Sequence, residues 1–195
     1  MTRRPLAPQR RHSRDERAGS SQAIAQALAE GKAEFSSLIH AQYGSYVGRP
    51  LPPKVLPEVR SVGHCRADAA QQWGFSWHRN EGIEFLLVER GAVPGAIDDQ
   101  ELVQRTDDLV VTRPWQWHRV GNPQVPACRF HWLILDLGVV QPHQTWKWPS
   151  WLVLTQTDLR SLTAFLRHNE QPIWHVDRAI RRCFQEIATL VDADS

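Results

Sequence analysis

Two segments of this chain follow one plan, and that plan limits what it can fold into. The first runs His78-Arg79-Asn80-Glu81-Gly82-Ile83-Glu84 and on to Gly91. The second runs Asp108-Leu109-Val110-Val111-Thr112-Arg113-Pro114-Trp115-Gln116-Trp117-His118 and closes at Gly121-Asn122. Each is a strand pattern bounded by turn residues, and each carries a histidine in strand phase. Side chains at i and i+2 of a strand share a face, so His78 and Asn80 point the same way, Glu84 follows after a turn, and His118 arrives from the second segment. Two imidazoles and a carboxylate suit a divalent metal such as Fe, Mn, Ni or Zn, with Asn80 as a weaker oxygen donor. The same residues also fit a core role, as hydrogen-bonded histidines with Glu84 paired to one of them or to Arg129.

The surrounding sequence predicts a mainly β domain. Short apolar runs recur over 58–67, 75–78, 83–89, 91–97, 101–105, 109–113, around Val120 and over 128–137, separated by Asp, Gly and Pro turns. Strands at this spacing build a small antiparallel sandwich or barrel. Residues 21–40 predict a helix with a broken apolar stripe of Ile24, Leu28, Phe35 and Leu38. Residues 48–57 hold four prolines and predict a linker. After Pro149 the period turns helical. Thr157 is expected to cap a helix over 158–167, and Asp177 a second one with Ile180, Phe184, Ile187 and Val191 in line. The division expected is a disordered Arg-rich arm (1–20), a helix plus Pro-rich linker (21–57), a ligand-binding β domain (58–148) and C-terminal helices for packing or dimerisation (149–195).

Charge and composition narrow the function. Residues 1–20 hold six Arg against Asp15 and Glu16, and the remaining chain holds 17 basic against 19 acidic residues. The folded body therefore lacks the basic footprint of a DNA-binding domain. No apolar run of about 18 residues exists, so no membrane span is expected. The N-terminal arginines have no apolar stretch behind them, so no secretory signal is expected. Three widely spaced cysteines without a CxxC fit neither a disulfide framework nor a cysteine zinc site, and a cytoplasmic setting is expected. Acyl-transfer, P-loop and dinucleotide fingerprints are missing. His64 beside Cys65 is a nucleophile-like pair with no evident orienting acid. Nine tryptophans cluster around the two segments and the connection after them, which fits a thick core or a pocket for a ring-shaped ligand.

The two segments resemble the two cupin motifs. His78, Asn80, Glu84 and Gly91 reproduce the spacing of the first motif, with Asn80 where the second histidine stands. Asp108, Pro114, His118 and Asn122 follow the second, one residue short between Pro114 and His118. That shorter step, together with Glu84-Phe85-Leu86-Leu87-Val88-Glu89-Arg90-Gly91, Asp107-Asp108-Leu109 and the strand Arg129–Asp136, resembles the sensor domains of AraC-type transcription regulators over roughly residues 55–195. The resemblance implies a cupin-like antiparallel β-barrel or jelly roll with an N-terminal arm and two C-terminal α-helices. It implies a small polar, sugar-like effector held by His118 and Trp132, with His78, Glu84, Trp115 and Trp117 nearby. It also implies a homodimer built on Ile180, Phe184, Ile187 and Val191, no enzymatic activity, and DNA contact only through a further helix-turn-helix domain. The rival expectation is a metal-dependent cupin enzyme of isomerase or dioxygenase type, with His78, Glu84 and His118 on the metal.

Overall fold

The computed structural model of the chain describes residues 26, 29–31, 33–43, 46–121 and 124–193. The strands among these residues are β1 (Glu34–Ile39), β2 (Arg49–Pro50), β3 (Val59–Ala67), β4 (Phe75–His78), β5 (Gly82–Ile97), β6 (Gln100–Arg105), β7 (Asp108–Thr112), β8 (His118–Val120), β9 (Cys128–Asp136) and β10 (Ile173–His175). The C-terminal helices are α1 (Gln156–His168) and α2 (Arg178–Ala193). The architecture is mainly β and of the cupin jelly-roll type. One path of strands runs β10-β7-β5-β9-β3-β1-β2, while β4, β8 and β6 gather on the other half of β5. The sheet does not close into a full barrel, because β2 and β10 remain at the ends of the path.

Strand β5 makes this possible. Its first half pairs with β7 and β9 and its second half with β6 and β8. The turn between the halves falls at Gly91, whose φ of +90° excludes most side chains. A Cβ there would also stand 2.6 Å from the Ala127 carbonyl oxygen. A register irregularity between Val88 and Arg90 adds to the bend. Residues 91–97, which the sequence predicts as a separate broken strand, are thus the continuation of β5.

Register decides what faces inward. Glu84, Leu86 and Val88 pair with Ile134, Trp132 and Phe130 on β9, which pair in turn with Ser61, Gly63 and Cys65 on β3. This face joins Trp73, Val93, Val120 and Val125 in the inner core. The opposite face carries Val62, Ile83 and Leu135, and it is covered by Trp146, Leu166 and Val191 from the C-terminal region.

Several expectations are corrected. Residues 34–39 form β1, not helix. They pair with β3 along their whole length, and Phe35 packs 4.7 Å from Trp132. Sheet pairing and inner-core burial override the weak helical stripe. The linker contributes Arg49 and Pro50 to a parallel contact with β1. Helix α1 starts earlier than the Thr157 cap predicts, because Thr155 and Asp158 form a reciprocal capping box. Strand β10 is too short to show a period, and it pairs with β7. Residues 1–25, including the Arg-rich arm, and Asn122 lie outside the described residues. No helix among the described residues is long and apolar enough to cross a membrane.

The stripe expected to dimerise is largely used within the chain. Phe184 is 8% and Val191 2% exposed, and Ile187 packs against the outer core, while Ile180 is 42% exposed. The helix covers its own sheet, because that face would otherwise leave Val62, Ile83 and Leu135 in water. Polar contacts help fix it. Gln185 Nε2 donates to Glu89 Oε1 at 2.8 Å, and Arg181 donates to the Glu89 carbonyl and to Asp107. Buried His131 donates Nε2–H to Glu89 Oε2 at 2.8 Å, with His64 6.0 Å away, ring to ring, and Arg129 3.6 Å from Glu89.

This buried contact predicts a pH dependence. Burial holds His131 below the usual imidazole range, against the pull of Glu89. Burial raises Glu89, but hydrogen bonds from Gln185 and His131 and the charges around it outweigh that and lower it. A depressed folded-state pKa means that the unfolded chain takes the proton first as pH falls. The stabilisation from His131 is therefore complete above its ordinary value of 6.5 and is lost as pH falls through the folded value. Glu89 adds a further loss below its ordinary value of 4.5. The melting temperature of the parent is expected to fall steadily from pH 7 to pH 5, and His131→Phe to flatten that slope. An unchanged slope in the variant would refute the assignment.

Candidate metal centre

His78 closes β4, Glu84 stands near the start of β5 and His118 opens β8. The β4–β8 register sets His78 opposite His118, and the β5–β8 register sets Ile97 beside His118. Glu84 reaches the same place from the other sheet, on the inner face next to Thr112 and Ile134. One potential ligand atom from each of the three lies within 4.8 Å of the others. The rings of His78 and His118 are 4.1 Å apart at their centres. His118 Nε2 stands 3.2 Å from Glu84 Oε2, and Asn80 Nδ2 donates to the same oxygen at 3.1 Å. His118 is 2% and Glu84 7% exposed.

The hydrogen bonds fix the tautomers. His78 Nδ1 is 2.7 Å from the Ser76 carbonyl oxygen, and His118 Nδ1 is 3.0 Å from that of Gln116. A carbonyl oxygen only accepts, so each Nδ1 carries hydrogen and each neutral ring leaves Nε2 as its ligand atom. In that state His118 Nε2 and Glu84 Oε2 are two acceptors facing each other at 3.2 Å, a contact that needs a cation, whether a proton or a metal, beside it. Burial alone would raise the Glu84 pKa. The imidazoles of His118 and His78 and the Asn80 amide outweigh it and hold the carboxyl below the usual carboxylate range.

The donor set fits a divalent metal on an independent observation. Asn80 Oδ1 is buried and has no hydrogen-bond partner. An acceptor left unpaired in the interior is costly, and its pairing with a cation removes that cost. Two imidazoles, one carboxylate and an amide oxygen form an N,O set of the kind used for Fe, Mn, Ni and Zn. The backbone carbonyls on both Nδ1–H groups supply the orienting contacts typical of ligating histidines. Arg129, the alternative partner for Glu84, pairs with Glu89 instead.

Other expected site residues lie apart from the three. Trp132 is on the inner face, one diagonal step from Glu84, packed between Phe35 and Phe130, and its indole N–H donates to Ser61 Oγ at 2.9 Å. Trp115 packs with the outer core and donates to the Val139 carbonyl at 3.3 Å. The exposed Arg79 lies over Trp115 at 5.0 Å and over Trp117 at 4.9 Å. Trp117 precedes inward-facing His118 and alternates to the other side. His64 does find an acid, Asp192 at 2.9 Å, but Cys65 is fully buried on the opposite face and burial pushes its thiol strongly up, which disfavours a nucleophile. Sequence reasoning did not single out Gln104, a polar side chain only 1% exposed. The available signal was its strand phase, since it shares a face with Leu102 while Glu101 and Val103 are exposed.

Comparison with known proteins bears on the fold. Residues 67–134 match the family model described as Cupin domain. Solved structures similar to the chain include a predicted oxalate decarboxylase from Thermotoga maritima (13% identity, 45% of this chain and 76% of that one, TM-score 0.38). A cupin protein from Bacteroides fragilis gives 17% identity over 43% of this chain and 70% of that one, with TM-score 0.31. The Mn(II)-containing oxalate decarboxylase of Bacillus subtilis gives 16% identity over 58% of this chain and 33% of that one, with TM-score 0.30. Among curated proteins, none matches the sequence.

Proposed function

We propose that the cupin domain of this chain is a metal-dependent enzyme of isomerase or dioxygenase type, acting on a small oxygen-donor molecule. His78, Glu84 and His118 would hold the metal, with Asn80 Oδ1 beside them. The observation that carries this reading is the orphaned oxygen of the Asn80 amide, whose Nδ2 binds Glu84, together with two histidines that both have Nδ1 occupied. A bound divalent ion would supply Lewis-acid or redox chemistry at an oxygen atom of the substrate. The chain's own residues do the rest. Ser76 and Gln116 orient the rings, Asn80 Nδ2 orients the carboxylate, and the apolar side chains of Leu86, Ile97 and Ile134 exclude water from the inner face.

Elemental analysis of the purified protein tests the reading. About one equivalent of Fe, Mn, Ni or Zn is expected to survive desalting, and its removal by a chelator is expected to lower the melting temperature. A folded protein that neither retains a metal nor gains stability when one is added would refute it. A second reading, the effector-sensing domain of an AraC-type regulator, draws on the four-residue step from Pro114 to His118 and on inward-facing Trp132. A metal-indifferent protein whose tryptophan fluorescence saturates with a sugar favours that reading instead. In it, any homodimer would use the exposed side of α2, where Ile180 and Leu190 lie.

A further inference from the structure

The segment that links the two halves of the metal centre is pinned by a buried arginine. Strand β4 ends at His78 and pairs with β8, whereas β5 opens at Gly82 and pairs in its first half with β7 and β9. Residues 79–81 therefore cross from one layer to the other, with Asn80 inside the crossing and Glu84 just past it. Asn80 is held through its carbonyl oxygen, which accepts from the Trp115 amide at 2.8 Å. Glu81 is held through its side chain. Arg60 Nη1 donates to Glu81 Oε2 at 2.7 Å, and Arg60 Nη2 donates to Asp136 Oδ1 at 3.2 Å. Asp136 is the register partner of Gly82, and a Cβ on Gly82 would stand 3.1 Å from Arg60 Cδ. One guanidinium thus grips both the crossing and the strand pair on which it lands.

Arg60 owes this reach to a bulge. On β3, Val59 pairs with Leu135 and Ser61 with Ile134, so Arg60 has no register partner on β9 and is the extra residue. A bulge bends its strand and re-aims the side chain it inserts. Arg60 is 6% exposed, its guanidinium carbon lies 4.3 Å from the Tyr43 ring centre, and its buried Nε–H has no hydrogen-bond partner among the described residues. A buried ion pair adds little net stability over apolar packing, but a rigid fork between two carboxylates fixes direction. We infer that Arg60 is a positioning residue for the metal centre: its grip on Glu81 and Asp136 fixes the crossing that brings Asn80 and Glu84 up to His78 and His118. This rests on the metal-centre reading, whose ligands it leaves unchanged.

The test titrates the full chain with Co(II), reading affinity and coordination geometry from the visible bands and folding from melting curves. Glu81→Ala, which leaves Arg60 paired with Asp136, is expected to weaken cobalt binding about tenfold and to shift the bands. Glu81→Gln still offers Arg60 an oxygen acceptor and is expected to recover most of that loss. Arg181→Met, the control, breaks contacts with Asp107 and the Glu89 carbonyl beneath α2. It is expected to lower the melting temperature and to leave cobalt affinity and bands unchanged. If Glu81→Ala does not fold, Arg60→Lys, which keeps the charge but loses the fork, decides in its place, with the same weakening expected. Parental cobalt binding in the deciding variant overturns the positioning role, because the crossing then holds itself. Equal weakening in Glu81→Gln overturns it in favour of a charge effect, and equal weakening in Arg181→Met in favour of a general loss of stability. Failure of the parent to take up cobalt overturns the metal centre and the role of Arg60 together.

Discussion

Metal-free protein carrying His118→Ala is expected to lose about 3 kcal/mol of stability, and the variant to hold divalent metal at least about a hundredfold more weakly than the parent. The first effect follows from burial. Glu84 is 7% exposed and carries its charge because imidazole stands 3.2 Å from its oxygen. Removing that ring leaves a carboxylate with only the Asn80 amide and the neighbouring His78 to balance it. Either the charge stays and destabilises the interior, or the acid takes up a proton and forfeits its stabilisation. The second effect follows from losing one of three strong donors. Denaturant titration with and without Zn(II) or Mn(II) reads both together. A variant as stable as the parent would mean that the pair is not buried as described. One that keeps parental metal affinity would move the centre elsewhere.

Gly63→Ala is the substitution outside the site with the largest expected cost, about 3 kcal/mol, with a corresponding fall in melting temperature. Gly63 sits opposite Trp132 on β9 and Ser37 on β1. A Cβ there would strike the Ser36 carbonyl oxygen, stand 2.6 Å from the Ser37 Cβ and 2.7 Å from Trp132 Cζ2. Two of those three neighbours belong to a paired strand and cannot step aside singly. The indole is fixed by its bond to Ser61 and by Phe35 and Phe130. Circular dichroism melting decides the matter. A loss below about 0.5 kcal/mol would show that β1 is free to move away from β3.

The parts of the fold that announce themselves in sequence are those where period and turn chemistry agree. Strands β3, β4, β7 and β9 and both helices fall close to their expected places, because each combines an apolar period with Asp, Gly or Pro at its ends. Helix α2 even keeps its expected cap, Asp177, whose Oδ1 accepts from the Ala179 and Ile180 amides. Where a long-range partner decides, sequence is silent. Phe35 and Leu38 fit a helix stripe as well as a strand, and only β3 beside them settles the choice. The continuity of β5 through Gly91 is likewise set by which strands flank each half. For the site, the spacing of His78, Asn80, Glu84 and His118 was readable, since period two forces side chains onto one face. The placement of Trp115 and Trp117 was not. Trp115 adopts φ +68°, which breaks the alternation on which any inward assignment depended.

The histidines belong to one half of β5's neighbourhood and Glu84 to the other, so the cluster straddles the fold's only shared strand among the described residues. Occupancy there would therefore act like a rivet through two plates. It would oppose shear between the layers, and hydrogen exchange along β4 and β8 should slow in step with that along the first half of β5. A ligand would thus be felt mechanically well beyond the atoms it touches, including under the C-terminal helix that rests on the far side of the same strand.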